Sequence, residues 1–204
     1  MTASGTNDRE NDGTNDGTND GTYPAWQRLG PAVARRLRLV WMRLCFPRAR
    51  FGAGCDIRRG FHLILGPRAR LVIGCGCILD RDMTIECQGS LEIGDRTIFG
   101  HHCTLGVVDS LVIGPDALIA EMVAIRDHDH RFDGPLDVPV REQGKTSAPV
   151  RIGRNVWLAG KVTVLKGVTI GDNAVIGANA VVTKDIPANA VAVGVPARVI
   201  RHRE

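Results

Sequence analysis

The chain has 204 residues, enough for one domain with a small appendage. Val, Ile and Leu make up 51 residues and Gly 24, while aromatics are only 4 %; this excludes a wholly disordered chain and fits a helical bundle poorly, because each glycine costs about 1 kcal/mol inside a helix. The net charge of +4 is uneven, with residues 1–22 at −4, residues 23–50 at +7 and residues 51–204 at +1, so the body does not read as a basic nucleic-acid binder.

Residues 1–22 are polar and acidic, and residues 11–22 repeat Asn-Asp-Gly-Thr three times. Such a segment has nothing to bury and predicts a disordered low-complexity tail. Asp12, Asp16 and Asp20 offer weak cation ligands there, but a solvated tail is the plainer reading. The start is unlike a signal peptide, and no apolar run approaches the roughly 18 residues of a membrane span. A cytoplasmic protein is expected, in which the six Cys stay reduced.

Residues 23–50 hold seven Arg and no acid and predict an Arg-rich amphipathic helix, clearest over 31–46. Pro31 suits its first turn. Val33, Leu37, Val40, Trp41 and Leu44 share one face. That face is expected to cover the open end of the stacked strands C-terminal to it, with weak contact to an anionic membrane surface as the other use.

Residues 51–187 obey a different period. Ile73, Ile93 and Ile113 are spaced by 20, each with Gly after it and Leu two residues before it. Within each interval apolar residues recur every six: Ile73, Leu79, Ile85; Ile93, Phe99, Leu105; Ile113, Ile119, Ile125. The step resumes at Ile152 and continues through Leu158, Val164, Ile170, Ile176 and Val182. Six matches in one register arise by chance about 2 × 10⁻⁴ of the time at this aliphatic content. The fourth residues after these, Val156, Val162, Val168, Ala174, Ala180 and Ile186, are small or branched. Period six is neither helical nor simple alternation. It predicts short flat strands joined by bends, three to a coil, with about six coils stacked roughly 4.8 Å apart. Cys77 and Cys103 fall in small inward slots, and Cys75 and Cys87 at corners. Free thiols packed in a core explain them better than a metal knuckle.

The period breaks after Ile125 and resumes at Val150. Between them stand Arg126-Asp127-His128-Asp129-His130 and an excursion loop, 131–149, with three Pro and two Gly. Loops beyond about 12–15 residues in a compact domain are usually functional or disordered. This one leaves the regular scaffold at a point rich in His and Asp.

These features resemble the hexapeptide-repeat acyltransferases, and more narrowly their maltose and galactoside O-acetyltransferase branch. The similarity runs over residues 70–201. It is most specific in Ala148–Leu158, Gly167–Asn173, Thr-Lys-Asp-Ile-Pro at 183–187 and Gly-Val-Pro-Ala-Arg-Val-Ile-Arg at 194–201. The resemblance implies an all-β fold, a left-handed parallel β-helix, with a short helix in the C-terminal segment 188–204. It also implies a homotrimer with acetyl-coenzyme A as co-substrate in a groove between copies, and no metal. Ungapped spacing from Ile119-Ala120 puts the family's catalytic His, its general base, at His130, ahead of His128, with Asp127 or Asp129 beside them to orient an imidazole, and Arg131-Phe132-Asp133-Gly134 resembles the stretch after the base in the xenobiotic branch. By the same likeness Trp157, Gly160, Ala178, Thr183 and Lys184 would line the coenzyme's thioester and arm, and Lys184, Arg198 and Arg201 its phosphates. Gly100 and Val108 stand where the family carries an Asn and an Asp that hold sugar hydroxyls; His101, His102 and Asp109 are the nearby substitutes.

The chemistry expected is direct acyl transfer. A neutral imidazole, of ordinary pKa about 6.5, takes a hydroxyl proton as the oxygen attacks a thioester, for roughly 10²–10⁴ in rate. Two rival readings use the same scaffold. One is a non-catalytic trimeric β-helix; the other is a zinc enzyme resembling the γ-class carbonic anhydrases, for which the two-residue spacing of His128 and His130 is wrong.

Overall fold

The computed structural model describes residues 25–204. The expected tail over 1–22, with Asp12, Asp16 and Asp20, lies outside the described residues. Helix α1 runs over Ala25–Cys45, six residues earlier than the start suggested by Pro31, which sits within it. After α1 the chain winds into a three-faced parallel β-solenoid.

Face A stacks Ala49–Phe51, Arg70–Ile73, Ser90–Ile93, Ser110–Ile113, Val150–Ile152 and Thr169–Ile170. An isolated bridge from Ile170 to Ile186 begins a seventh layer. Face B stacks eight strands, including Leu118–Ile119, Trp157–Leu158 and Val175–Ile176, and closes with Ala190–Val193 and Arg198–His202. Face C stacks six strands from His62–Leu65 to Val181–Val182. Register pairs residues one coil apart, Leu71 with Leu91 and Leu91 with Leu111, so the sequence period becomes a column.

The six-step residues all point inward. Ile73 through Val182 are at most 2 % exposed, and the small second slots from Val156 to Ile186 at most 4 %. A column of small groups, Cys55, Cys77, Thr97, Ala117, Val156 and Ala174, precedes the face B strands. Its polar members donate to the carbonyl of the next coil: Cys77 Sγ to Gly94 at 3.2 Å and Thr97 Oγ1 to Gly114 at 3.1 Å. Buried thiols and hydroxyls are thereby satisfied without a disulfide. Cys87, expected at a corner, instead ends the strand Thr84–Cys87 and is buried. Its coil carries two extra residues, which lengthen the strand and carry the bend past it.

Every A-to-B and B-to-C turn takes four residues, whereas C-to-A connections differ in length. The four-residue turns need one left-handed residue each. Gly54, Gly76, Arg96, Asp116, Asn155 and Asn173 supply it between A and B, and Gly60, Asp82, His102, Met122, Lys161 and Asn179 between B and C; Asn189 supplies it in the shorter turn from the Ile186 bridge to Ala190. No β-branched residue stands at these positions, as sterics require. Asn155, Asn173 and Asn189 form an amide ladder up one edge, each link 2.9 Å.

Two further expectations are corrected. The C-terminal segment holds no helix; Arg198–His202 is a strand that turns back antiparallel on Ala190–Val193. A solenoid ends on unpaired backbone groups, and a returning strand satisfies them. Helix α1 does cover the first coil, but not with the predicted face. Met42 is buried and Leu39 and Phe46 partly so, while Arg38 and Arg43 donate to Ile57 O and Phe51 O at 2.7 and 2.8 Å. Val33, Leu37, Val40, Trp41 and Leu44 face outward, 52–75 % exposed.

Candidate functional site

The excursion leaves the prism at the C-to-A edge, between Ala124–Arg126 and Val150–Ile152. Its root is a two-stranded antiparallel ribbon. His128, Asp129 and His130 pair with Ser147, Thr146 and Lys145. Ala148 N–H donates to Asp127 O at 2.9 Å and closes the base. Gln143 braces the outer part, accepting from Gly134 N–H and donating to Val138 O, both at 2.8 Å.

Asp127 anchors the root to the coil below. Its side chain is fully buried. Oδ1 accepts from Val108 N–H at 2.8 Å and Oδ2 from Asp109 N–H at 2.7 Å. His128 Nδ1 lies 3.0 Å from Oδ1. A carboxylate only accepts, so Nδ1 is the donor of this pair. Three donors therefore hold a buried charge that would otherwise be costly. Asp129 points the other way, where Lys166 Nζ reaches its Oδ2 at 3.1 Å and also Thr146 Oγ1. His130 is exposed on the same ribbon. Of the two Asp proposed to orient an imidazole, only Asp127 touches one.

Thr183 and Lys184 come after the last face C strand, on this same C-to-A edge. Asp109 lies there too, with its backbone under Asp127. The other candidates sit elsewhere. Trp157 is on face B, 46 % exposed, and register carries its column through Val175 and Val191 to Arg201. Arg198 is exposed on the same closing strand. Gly160 and Ala178 occupy the B-to-C edge, where a Cβ on Gly160 would meet Glu121 Oε1 at 2.4 Å. His101 and His102 are on that edge also, their rings 5.0 Å apart edge to face. A single chain thus brings His128, His130, Asp109, Thr183 and Lys184 to one edge. It does not bring them to Trp157, Gly160, Ala178, His101 or His102, from which face C separates them.

Gly100, at the position of the family's Asn, packs under the next coil, where a Cβ would meet Glu121 N at 2.7 Å. Val108 contributes its amide, not its side chain, to the site. Lys166 is not legible in the sequence as a site residue, since its partners, Asp129 and Thr146, become neighbours only when the ribbon folds back. Among the described residues, no three His, Cys, Asp or Glu side chains converge on a metal-sized position.

The surroundings of Trp157 fit a coenzyme with an apolar arm and phosphates. Val193, Val199 and Ile200 are exposed beside Arg198 and Arg201 on the closing strands. Apolar surface and guanidinium groups in one strip are what such a molecule requires.

The family model for the bacterial transferase hexapeptide (six repeats) matches residues 149–184. "Probable acetyltransferase Rv3034c" of Mycobacterium tuberculosis is 34 % identical over 174 residues, 84 % of this chain and 58 % of that protein. Galactoside O-acetyltransferase of Escherichia coli is 48 % identical over 100 residues, 48 % of this chain and 47 % of that one. The chain thus spans only 47 to 58 % of the length of these two curated relatives. Among solved structures, the S84T mutant of AntD, an N-acyltransferase from Bacillus cereus in complex with dTDP and coenzyme A, superposes with a TM-score of 0.64 at 17 % identity, over 76 % of this chain and 83 % of that one. The hexapeptide-repeat acetyltransferase VCA0836 of Vibrio cholerae, complexed with acetyl-coenzyme A, gives 0.56 at 23 % identity, over 88 % and 90 %. At these identities the two structures share the fold with this chain.

Proposed function

We propose that this chain is a hexapeptide-repeat acyltransferase that moves an acetyl group from acetyl-coenzyme A to a hydroxyl of a sugar or glycan precursor, with His130 as general base. The site is shared between copies of a homotrimer, and the reaction runs in the cytoplasm. One observation carries this reading. The imidazoles stand with Thr183 and Lys184 on the C-to-A edge, whereas Trp157, Arg198 and Arg201 stand on face B, so a site holding both His130 and Trp157 draws on two copies. Phe132 and Leu136, bare at 78 % and 103 % exposure on the excursion, fit a flap that closes against a neighbour.

Acetyl-coenzyme A supplies a thioester, an acyl group on a good leaving sulfur. His130 accepts the acceptor's hydroxyl proton as that oxygen bonds to the acyl carbon. The carbon–sulfur bond then breaks, and the imidazolium returns the proton to the sulfur. A backbone N–H in the groove stabilises the oxyanion. His128, fixed on Asp127, holds the ribbon that presents His130 and acts as a positioning residue. Trp157 offers a flat apolar wall to the arm, and Lys184, Arg198 and Arg201 meet the phosphates. Similarity to the galactoside O-acetyltransferase supports a sugar hydroxyl as acceptor.

The test monitors free thiol released from acetyl-coenzyme A over a panel of sugars. His130→Ala is expected to lower kcat by roughly 10²–10⁴. Trp157→Ala is expected to raise KM for the coenzyme. Unfolding the two variants together and refolding them as mixed trimers should restore function in about a quarter of the sites, because each intact site draws His130 and Trp157 from different copies. If His130→Ala keeps full turnover, or mixing restores nothing, the shared-site reading is wrong.

A further inference from the structure

Helix α1 has two apolar faces and uses only one. Leu39, Met42 and Phe46 pack on the first coil. On the other side Val33, Leu37, Val40, Trp41 and Leu44 form a stripe at helical spacing, 52–75 % exposed. A hollow of about 500 Å³ continues the stripe past Leu37 and Trp41 to Gly60 and Phe61.

Charge is sorted along the prism in the same sense. Residues 25–70 contain eleven Arg, no Lys and one acid, Asp56, which is paired with Arg58 at 3.3 Å. Residues 71–204 contain 14 basic and 16 acidic residues. The helix end is therefore the positive pole, and Arg36, Arg50, Arg59, Arg68 and Arg70 are exposed around it. Arg38 and Arg43 are tied to backbone carbonyls there, which leaves their charge uncompensated.

An occupant of this end has to offer apolar volume and negative charge together. A second copy presenting the same end opposes arginine with arginine. A nucleic acid has the charge but no use for five exposed aliphatic and indole side chains. An anionic lipid surface has both, and arginine suits phosphate. No helix among the described residues is long and apolar enough to cross a membrane, so α1 would lie in the interface plane.

We propose that the helix end of the prism docks on an anionic membrane. Val33, Leu37, Val40, Trp41 and Leu44 enter the boundary between headgroups and acyl chains, and the surrounding arginines meet lipid phosphates. The surface is independent of whether the chain transfers acetyl groups.

Flotation of the full-length protein with phosphatidylcholine vesicles, with and without phosphatidylglycerol, tests this. Binding is expected only with phosphatidylglycerol and is expected to weaken with salt. Leu37→Glu/Leu44→Glu should cut bound protein by about tenfold or more, with melting unchanged because both side chains face solvent. Arg50→Glu/Arg70→Glu should cut it as well. The proposal is overturned if the wild type ignores phosphatidylglycerol vesicles. It is overturned if the Leu variant binds them, and heparin, as well as the wild type does, which marks a polyanion site. A fall in native mass of the Leu variant also overturns it, by making the stripe a contact between copies.

Discussion

His128 Nδ1 lies 3.0 Å from Asp127 Oδ1, on a carboxylate that two backbone amides of the coil below already hold. The pair ties a long excursion to a rigid column. Replacing Asp127 with Asn turns one buried acceptor into a donor facing a donor. The expected cost is about 3 kcal/mol of stability. Urea unfolding of Asp127→Asn measures it, and a midpoint equal to wild type would show that the carboxylate is not needed.

Asn173 serves two ends at once. It holds φ near 58° and links Asn155 to Asn189. Asn173→Gly keeps the backbone and loses the ladder, for about 1 kcal/mol. Asn173→Val also forces a β-branched residue into the left-handed region, for roughly 1–2 kcal/mol more. Thermal melts should rank wild type above Gly and Gly above Val; equal melting of the two variants refutes the corner account.

Burial pushes the thiols of Cys87 and Cys103 up to about 11 from 9.0. Their contribution is complete below the unfolded value and is lost as pH rises through the folded one, since only the unfolded thiol ionises in between. The urea midpoint should fall between about pH 9 and 11, and less steeply in Cys87→Ala/Cys103→Ala than in the parent. Near neutral pH a thiol reagent should label the exposed Cys45 and Cys75 and spare these two until unfolding. Rapid native labelling of Cys103 contradicts the packing described.

Lys166 straps the ribbon from above through Asp129 and Thr146. The groups are partly exposed, so Lys166→Met should change global stability by less than about 1 kcal/mol. Local opening should respond more. Amide exchange at 145–147 should speed up by about threefold or more while the face A strands stay unchanged. Unaltered exchange there would remove the strap from the account.

The six-residue period is readable because each coil repeats one demand, an apolar side chain at the same point of a triangle. Ile152, Leu158 and Val164 meet that demand with no help from distant sequence. Asp127 is visible in the sequence only as a neighbour of His128. Its main partners, the amides of Val108 and Asp109, come from the coil below, and backbone donors leave no mark in the side-chain alphabet. Besides the stripe through Val33 and Leu44, helix α1 carries Leu39 and Met42, with Phe46 just past its end, and periodicity favours the longer stripe although the shorter set packs. Arg38 and Arg43 decide it by donating to first-coil carbonyls, a preference set by loose backbone ends that the pattern does not show. The closing strand escapes the pattern for a related reason: only the finished stack exposes the edge that Arg198–His202 covers.

Turn lengths have a consequence for engineering. Along two edges every turn is four residues, so an inserted residue would throw all later strands out of register. Along the C-to-A edge the connections already range from the pair 88–89 to the span 127–149. Grafted epitopes, affinity handles or permuted chain ends belong on that third edge, where the winding has tolerated unequal lengths from the outset.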